Sequence, residues 1–275
     1  MQLWRVLKII SNSNKNRPIG FFDSGVGGLT VMEQFRKILP AEDCIYFGDT
    51  KNMPYGEKTQ EQLINFSDSI FKFFESQGVK AVVMACNTSS AVTYNVLKDK
   101  YNFKIYPIIQ SVTEILAQLP VSKLGVFATN ATINSHAYRD GILVINPNIK
   151  VFEHACPQWV KIVEERREHD QESIDKVKAD LECMLKFLPD KIVLGCTHYP
   201  YLINILKTFV AEDIFINPAI AFAEYIKNDL SCENLLCNDK IGFEKFYVSG
   251  HPHDFINAAS IFYNIKKMPE QVKLA

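Results

Sequence analysis

The chain has 275 residues, 47% of them hydrophobic and 22% charged, enough to bury one large core or two modest ones. Thirty basic residues against 31 acidic ones leave a net charge of −1, which excludes a global basic field for nucleic acid or an anionic membrane. No apolar run approaches the roughly 18 residues that span a bilayer, and the first residues lack a signal-peptide core, so a cytoplasmic protein without membrane partners is expected.

Residues 1–17 read as an N-terminal extension, a loose tail before the fold. A strand at 18–22 then runs into "DSGVGGL", where Gly25, Gly27 and Gly28 permit close backbone approach at a helix start that suits an anion. A dinucleotide fingerprint fails there, because Thr30 stands where glycine or alanine is needed. Asp23 and Ser24 occupy the strand's carboxyl end, and Asp23 suits either chemistry or a helix cap. After a strand at 44–47 comes "FGDTKNMPYGEKT", a loop in which Pro54 and Gly56 enforce a bend and expose Tyr55. The next helix places Leu63, Phe66, Ile70 and Phe73 on one face.

A strand at 80–85 leads to Cys86, Asn87, Thr88 and a helix, and another strand is expected at 104–109. The strand at 123–128 meets Thr129 and Thr132, which suit helix caps, and a further strand spans 149–154. The mixed run "EERREHD" at 164–170 reads as a solvated helix end, and Ile174, Val177, Leu181, Leu185 and Leu188 form the apolar stripe of the following helix. Strands at 191–195, 213–216 and 245–249 complete the series. Many strands are continuous apolar runs, as parallel strands covered on both faces require, and their alternation with helices predicts a doubly wound α/β architecture.

"KAVVMACNTSSAVTYNVL" and "KIVLGCTHYPYLINIL" echo each other: lysine, apolar strand, small residue, cysteine, polar pair, helix. About 110 residues separate them, the size of one small domain, so two similar α/β halves would each carry one unit. Ligands of open α/β sheets bind beyond the carboxyl ends of the strands, which puts Cys86 and Cys196 at the floor of a cleft. A helix N-terminus after each cysteine would favour its thiolate. Two thiols facing one carbon from opposite sides suit proton removal by one and proton delivery by the other. His198 stands two residues after Cys196 as a proton partner or a plain hydrogen-bonding residue. Seven cysteines, an odd number at irregular spacing, predict reduced thiols, with Cys44, Cys183, Cys232 and Cys237 packed and inert. No pair has zinc-ligand spacing, so no metal is expected. With six arginines, none at a strand end, substrate carboxylates would be held by backbone N–H groups and hydroxyls, and no lysine is placed for a PLP Schiff base. A cysteine hydrolase would leave the second cysteine unexplained, while a non-catalytic anion binder remains an alternative.

The blocks "IGFFDSGVGGLTV", "YFGDTKNMPYG", "ACNTSSA", "FATNATINS", "CPQWVKIVEE" and "LGCTHYP" together resemble the glutamate racemases of the aspartate/glutamate racemase superfamily. The resemblance implies two similar α/β domains with the active site between them: residues 18–110 plus 220–275 with Asp23 and Cys86, and residues 111–219 with Glu164 and Cys196. It implies cofactor-independent interconversion of L- and D-glutamate, supplying peptidoglycan synthesis, in what is expected to be a homodimer. By this resemblance Cys86 serves the D-glutamate side with help from Asp23, and Cys196 the L-glutamate side with help from His198, while Glu164 is a further acidic residue of the site. Ser24, Pro54, Tyr55, Gly56, Asn87, Thr88, Thr129, Thr132 and Thr197 match substrate contacts. The segments "YPIIQSV", "EERREHD" and "INPAIAF" depart from the family's usual pattern and border the cleft or hinge. Aspartate racemisation, or another cysteine-dependent isomerisation or decarboxylation, is the nearest alternative activity.

Overall fold

The computed structural model describes residues 14–238 and 240–274, and the expectation for residues 1–13 of the extension lies outside them. Ten strands build two sheets among these residues, and every strand pairing is parallel. The first sheet holds β1 (Ile19–Asp23), β2 (Cys44–Gly48), β3 (Ala81–Met84), β4 (Lys104–Pro107), β9 (Glu244–Val248) and β10 (Glu270–Gln271), in the order β10-β9-β2-β1-β3-β4. The second holds β5 (Lys123–Ala128), β6 (Lys150–Ala155), β7 (Lys191–Leu194) and β8 (Phe215–Ile216), in the order β6-β5-β7-β8. The α/β class is as the alternation of apolar runs predicts.

The helices are α1 (Leu29–Ile38), α2 (Gln60–Ser76), α3 (Asn87–Leu97), α4 (Ile108–Leu116), α5 (Asn130–Ser135), α6 (Ala137–Ile145), α7 (Pro157–Glu164), α8 (Gln171–Leu185), a single turn at Ile203–Leu206, α9 (Pro218–Cys232) and α10 (Pro252–Ala259). Their starts follow local chemistry. Thr59 and Gln62 form a reciprocal capping box on α2, and Pro157, Pro218 and Pro252 sit in the first turns of α7, α9 and α10, where a missing N–H costs nothing. Both faces of the first sheet are covered. Ile19 and Phe21 of β1 pack in one core cluster, whereas Phe22 joins Phe71 and Phe74 of α2 in another.

Several sequence expectations shift. The strand expected at 104–109 ends at Pro107, and Ile108 opens α4. The strand expected at 213–216 shrinks to two residues after a 3₁₀ turn, and β10 lies in a stretch without an apolar run. On α2 the buried face is Leu63, Ser67, Ile70, Phe71 and Phe74, so Phe66 and Phe73 sit at its margin. Leu188 leaves the α8 stripe: the helix stops at Leu185, and Leu188 adopts a left-handed φ of 54° with 72% of its surface exposed. Cys232 is exposed at the end of α9, not packed. The last residues of the extension are not a loose tail either. Arg17 Nε donates to the Gly78 carbonyl at 2.7 Å, and the buried Lys80 ammonium, paired with Glu42 at 2.6 Å, also donates to the Lys15 carbonyl.

Candidate active site

Because the strands run parallel, the carboxyl ends of β1, β2, β3, β5 and β7 deliver their loops to one cleft. It is lined by Ser24, Pro54, Tyr55, Gly56, Cys86, Asn87, Thr88, Thr129, Glu164, Cys196, Thr197 and His198. Both matched cysteines therefore face the same space, although about 110 residues separate them. Asp23 and Thr132 do not line it. Thr132 lies one layer back, its hydroxyl 3.1 Å from that of Thr129 and 3.4 Å from that of Thr88. The Thr88 and Thr129 hydroxyls are 2.9 Å apart, linking α3 to the start of α5. Thr129 is a helix cap and a cleft residue at once, its Oγ1 accepting from the Thr132 N–H.

Asp23 is fully buried, and it does not cap α1, whose N-cap is Gly28. Its Oδ1 instead accepts the Gly25 N–H at 2.9 Å, and Oδ2 accepts the Thr197 hydroxyl at 3.4 Å. Burial raises its pKa, against the opposing pull of His198. Gly27 allows this side of the cleft to touch the other: a Cβ there would lie 2.3 Å from Thr197 Oγ1 and 2.7 Å from the His198 ring. The glycine turn thus serves close packing against a neighbouring loop.

Cys86 is the N-cap of α3 and almost wholly buried. Burial, and then the Asp23 charge, push its thiol up to about 12, while hydrogen bonds from Ser89 pull the other way. The helix terminus does favour the Cys86 thiolate through Ser89, as expected, but burial outweighs it. Cys196 differs in another way. No α-helix starts behind it; Thr197 and His198 lead into a 3₁₀ turn at Tyr199–Leu202. His198 Nδ1 lies 3.8 Å from Cys196 Sγ, and its Nε2 lies 2.9 Å from Glu164 Oε1. Burial works against a charge on His198, but the Cys196 and Glu164 contacts outweigh it and raise its pKa to about 10. Glu164 thus reaches the site as the anchor of an imidazolium.

Tyr55 is turned inward rather than exposed. It is 2% exposed, and its hydroxyl donates to Asp49, a buried carboxylate that also accepts from Asn52 at 3.0 Å and from Ser249 at 2.5 Å. Lys51, Pro54, Glu57 and Thr59 are the exposed residues of that loop. Met53, Glu57, Asn130, Pro157 and Val160 also line the cleft and escaped the sequence reading. A signal for two of them existed, since Pro157, Val160 and Glu164 recur at helical spacing on one face of α7.

No lysine or arginine lines this cleft among the described residues, so its donors are hydroxyls, amides and backbone N–H groups. His154, Cys156 and Asp180 bring side-chain donor atoms within 4.8 Å of one another. That Asp180 carboxylate already accepts from His154 at 3.0 Å, Trp159 at 2.9 Å and Lys176 at 3.1 Å, a satisfied polar network that does not fit a metal.

Comparison with known proteins follows the same geometry. Residues 19–225 match the family model described as Asp/Glu/Hydantoin racemase. A curated glutamate racemase of Thermoanaerobacter sp. (strain X514) is 37% identical over 252 residues, covering 91% of this chain and 94% of its own. The crystal structure of glutamate racemase from Francisella tularensis subsp. tularensis SCHU S4 in complex with D-glutamate superposes with a TM-score of 0.88 at 33% identity, covering 94% of this chain and 98% of its own. Glutamate racemase isoform RacE1 from Bacillus anthracis gives 0.90 at 30% identity, with the same coverage.

Proposed function

The chain belongs to the Asp/Glu/Hydantoin racemase family, and from that premise we propose that it interconverts L- and D-glutamate by proton transfer between Cys86 and Cys196, without a cofactor. The observation that carries the reading is two buried cysteines from separate sheets lining one cleft, with the Asp23 charge acting on Cys86 and the His198 ring beside Cys196. From L-glutamate, the Cys196 thiolate beside the His198 imidazolium takes the α-proton: the C–H bond breaks and an S–H bond forms. The Cys86 thiol delivers its proton to the opposite face, so its S–H bond breaks and a new C–H bond forms. The product is D-glutamate, and the reverse reaction begins with the two thiols in exchanged states. Burial and Asp23 keep Cys86 a thiol at rest, which suits the L-to-D direction first.

Hydroxyls of Ser24, Thr88, Thr129 and Thr197, with the Asn87 amide, suit the substrate carboxylates, since hydrogen bonds to charged groups contribute about 1.5–3 kcal/mol each. Cofactor independence is supported by the pair of acid–base groups already present and by a lining that offers no amine for a Schiff base. Domains at 18–110 with 220–275 and at 111–219, a homodimer, a cytoplasmic workplace and supply of D-glutamate to peptidoglycan belong to the same proposal. The division of strands between two sheets supports the first, and seven unpaired cysteines fit a reducing compartment.

The test is incubation of purified protein with L-glutamate in deuterated water, with L-aspartate in parallel and no PLP added. D-glutamate carrying α-deuterium is the expected product. A folded sample that leaves both amino acids unchanged overturns the reading, and turnover of aspartate alone reassigns the substrate.

A further inference from the structure

Tyr138 is fully buried on α6, beyond the second sheet, yet its hydroxyl reaches across to α3 of the first. It donates to Asn87 Oδ1 at 2.7 Å. The same ring packs against Gly195, where a Cβ would lie 3.0 Å from Tyr138 Cε2. One side chain thus touches the residue after Cys86 and the residue before Cys196. Burial, reinforced by the charge on Cys196, raises the phenol pKa, so the hydroxyl keeps the proton that it donates.

An asparagine amide has an acceptor end and a donor end, and nothing in its shape distinguishes them. A buried Asn87 free to rotate would offer an anionic ligand its carbonyl oxygen as readily as its NH₂ group. With Oδ1 held by Tyr138, the Nδ2 donors are left for the cleft that Asn87 lines. We propose that Tyr138 is a positioning residue that fixes the Asn87 amide so that it presents two N–H donors to a substrate carboxylate beside Cys86. The inference rests on the racemase reading and adds the residue that sets the polarity of its carboxylate site. It also makes that polarity depend on both halves of the molecule, because the tyrosine and the asparagine follow strands of different sheets.

Carboxylate binding is shared by ground and transition states, so its loss raises KM and leaves kcat nearly unchanged. Tyr138→Phe keeps the ring and removes the hydroxyl. Wild-type turnover is measured first; a wild type that neither binds nor racemises glutamate sinks the reaction and this inference together. Against an active wild type, Tyr138→Phe is expected to raise KM for both enantiomers about tenfold while kcat changes less than about threefold. In an Asn87→Ala background the same substitution is expected to change KM by less than about twofold, because the amide it orients is gone. A fall in kcat at constant KM, an unchanged KM, or the same KM increase in both backgrounds overturns the inference and leaves the racemase reading standing. Should Tyr138→Phe not fold, the wild-type protein supplies the readout: the side-chain NH₂ signal of Asn87, identified by its loss in Asn87→Ala, is expected to shift on addition of glutamate. An unmoved signal in a sample shown to bind glutamate overturns the proposal.

Discussion

The Cys86 and Cys196 flanks begin from nearly the same sequence pattern and end in different electrostatic states. Cys86 caps an 11-residue helix, yet its thiol is held near 12 by burial and the Asp23 charge. A rise from 9 to about 12 corresponds to roughly 4 kcal/mol against the thiolate. That outweighs the ~1 kcal/mol that a helix terminus contributes. Cys196 lacks the helix but has His198 at 3.8 Å, backed by Glu164. The comparison teaches that repeating a strand–cysteine–loop unit copies the position of a thiol and not its surroundings. For a racemase the asymmetry is useful, since one group must start as base and the other as acid.

The sharpest way to break the comparison is to remove one sulfur at a time. Cys86→Ser and Cys196→Ser should each lower racemisation by about 10³-fold or more, since a serine hydroxyl serves poorly as either proton acceptor or proton donor here. The flanks separate in a second measurement, α-proton exchange without inversion. Cys86→Ser is expected to retain more washout of deuterium from L-glutamate, Cys196→Ser more from D-glutamate. Equal residual exchange from both enantiomers in both variants would mean that the cysteines do not divide the faces.

Glu164→Gln tests what makes the Cys196 flank different. The substitution removes the carboxylate charge that helps hold His198 protonated, and about a tenfold loss in kcat for the L-to-D direction is expected. The pH dependence carries the sign. His198 has a pKa raised to about 10, above its ordinary 6.5, so its stabilising pairing is complete below 6.5 and is lost as pH rises through about 10. The basic limb of kcat/KM for L-glutamate should therefore fall near pH 10 in the wild type and move to lower pH in Glu164→Gln. A limb that does not move would detach His198 from the proton chemistry of Cys196.

What sequence could reveal of this site follows from how far each signal reaches. Apolar runs place most of the strands, and the parallel sheets carry the post-strand residues into one cleft, so Cys86, Cys196 and Ser24 are legible from local pattern, whereas Thr129 reads locally as a helix cap and joins the site only through the family resemblance. Tyr55 is not legible in that way. Its hydroxyl turns inward to Asp49, a carboxylate that also accepts from Ser249, 200 residues further along the chain. Tyr138 and Asn87 meet only because two sheets face each other, and no periodicity records that. By its pattern Cys196 stands at an α-helix start, but Tyr199–Leu202 form a 3₁₀ turn ahead of the single α turn at Ile203–Leu206. Leu188 fits the α8 stripe by spacing, but spacing cannot tell that the helix stops at Leu185.

The mildest perturbation addresses how the Cys86 flank is joined to the second sheet. Thr88 on α3 shares its hydroxyl with Thr129 at 2.9 Å and with Thr132 at 3.4 Å, so the cluster has a short bond across the cleft and a longer one behind it. Thr132→Val keeps the shape, removes the rear hydroxyl and leaves the Thr88–Thr129 bond in place. A loss of about 1 kcal/mol in stability is expected by denaturant titration, with KM rising no more than about threefold. Because the lost hydroxyl meets Thr88 and Thr129, while His198 pairs with Glu164 and Cys196, the basic limb that depends on His198 should stay where it is in the wild type. A limb shifted by Thr132→Val as far as by Glu164→Gln would show that the two flanks titrate as one unit, and the division between them would fail.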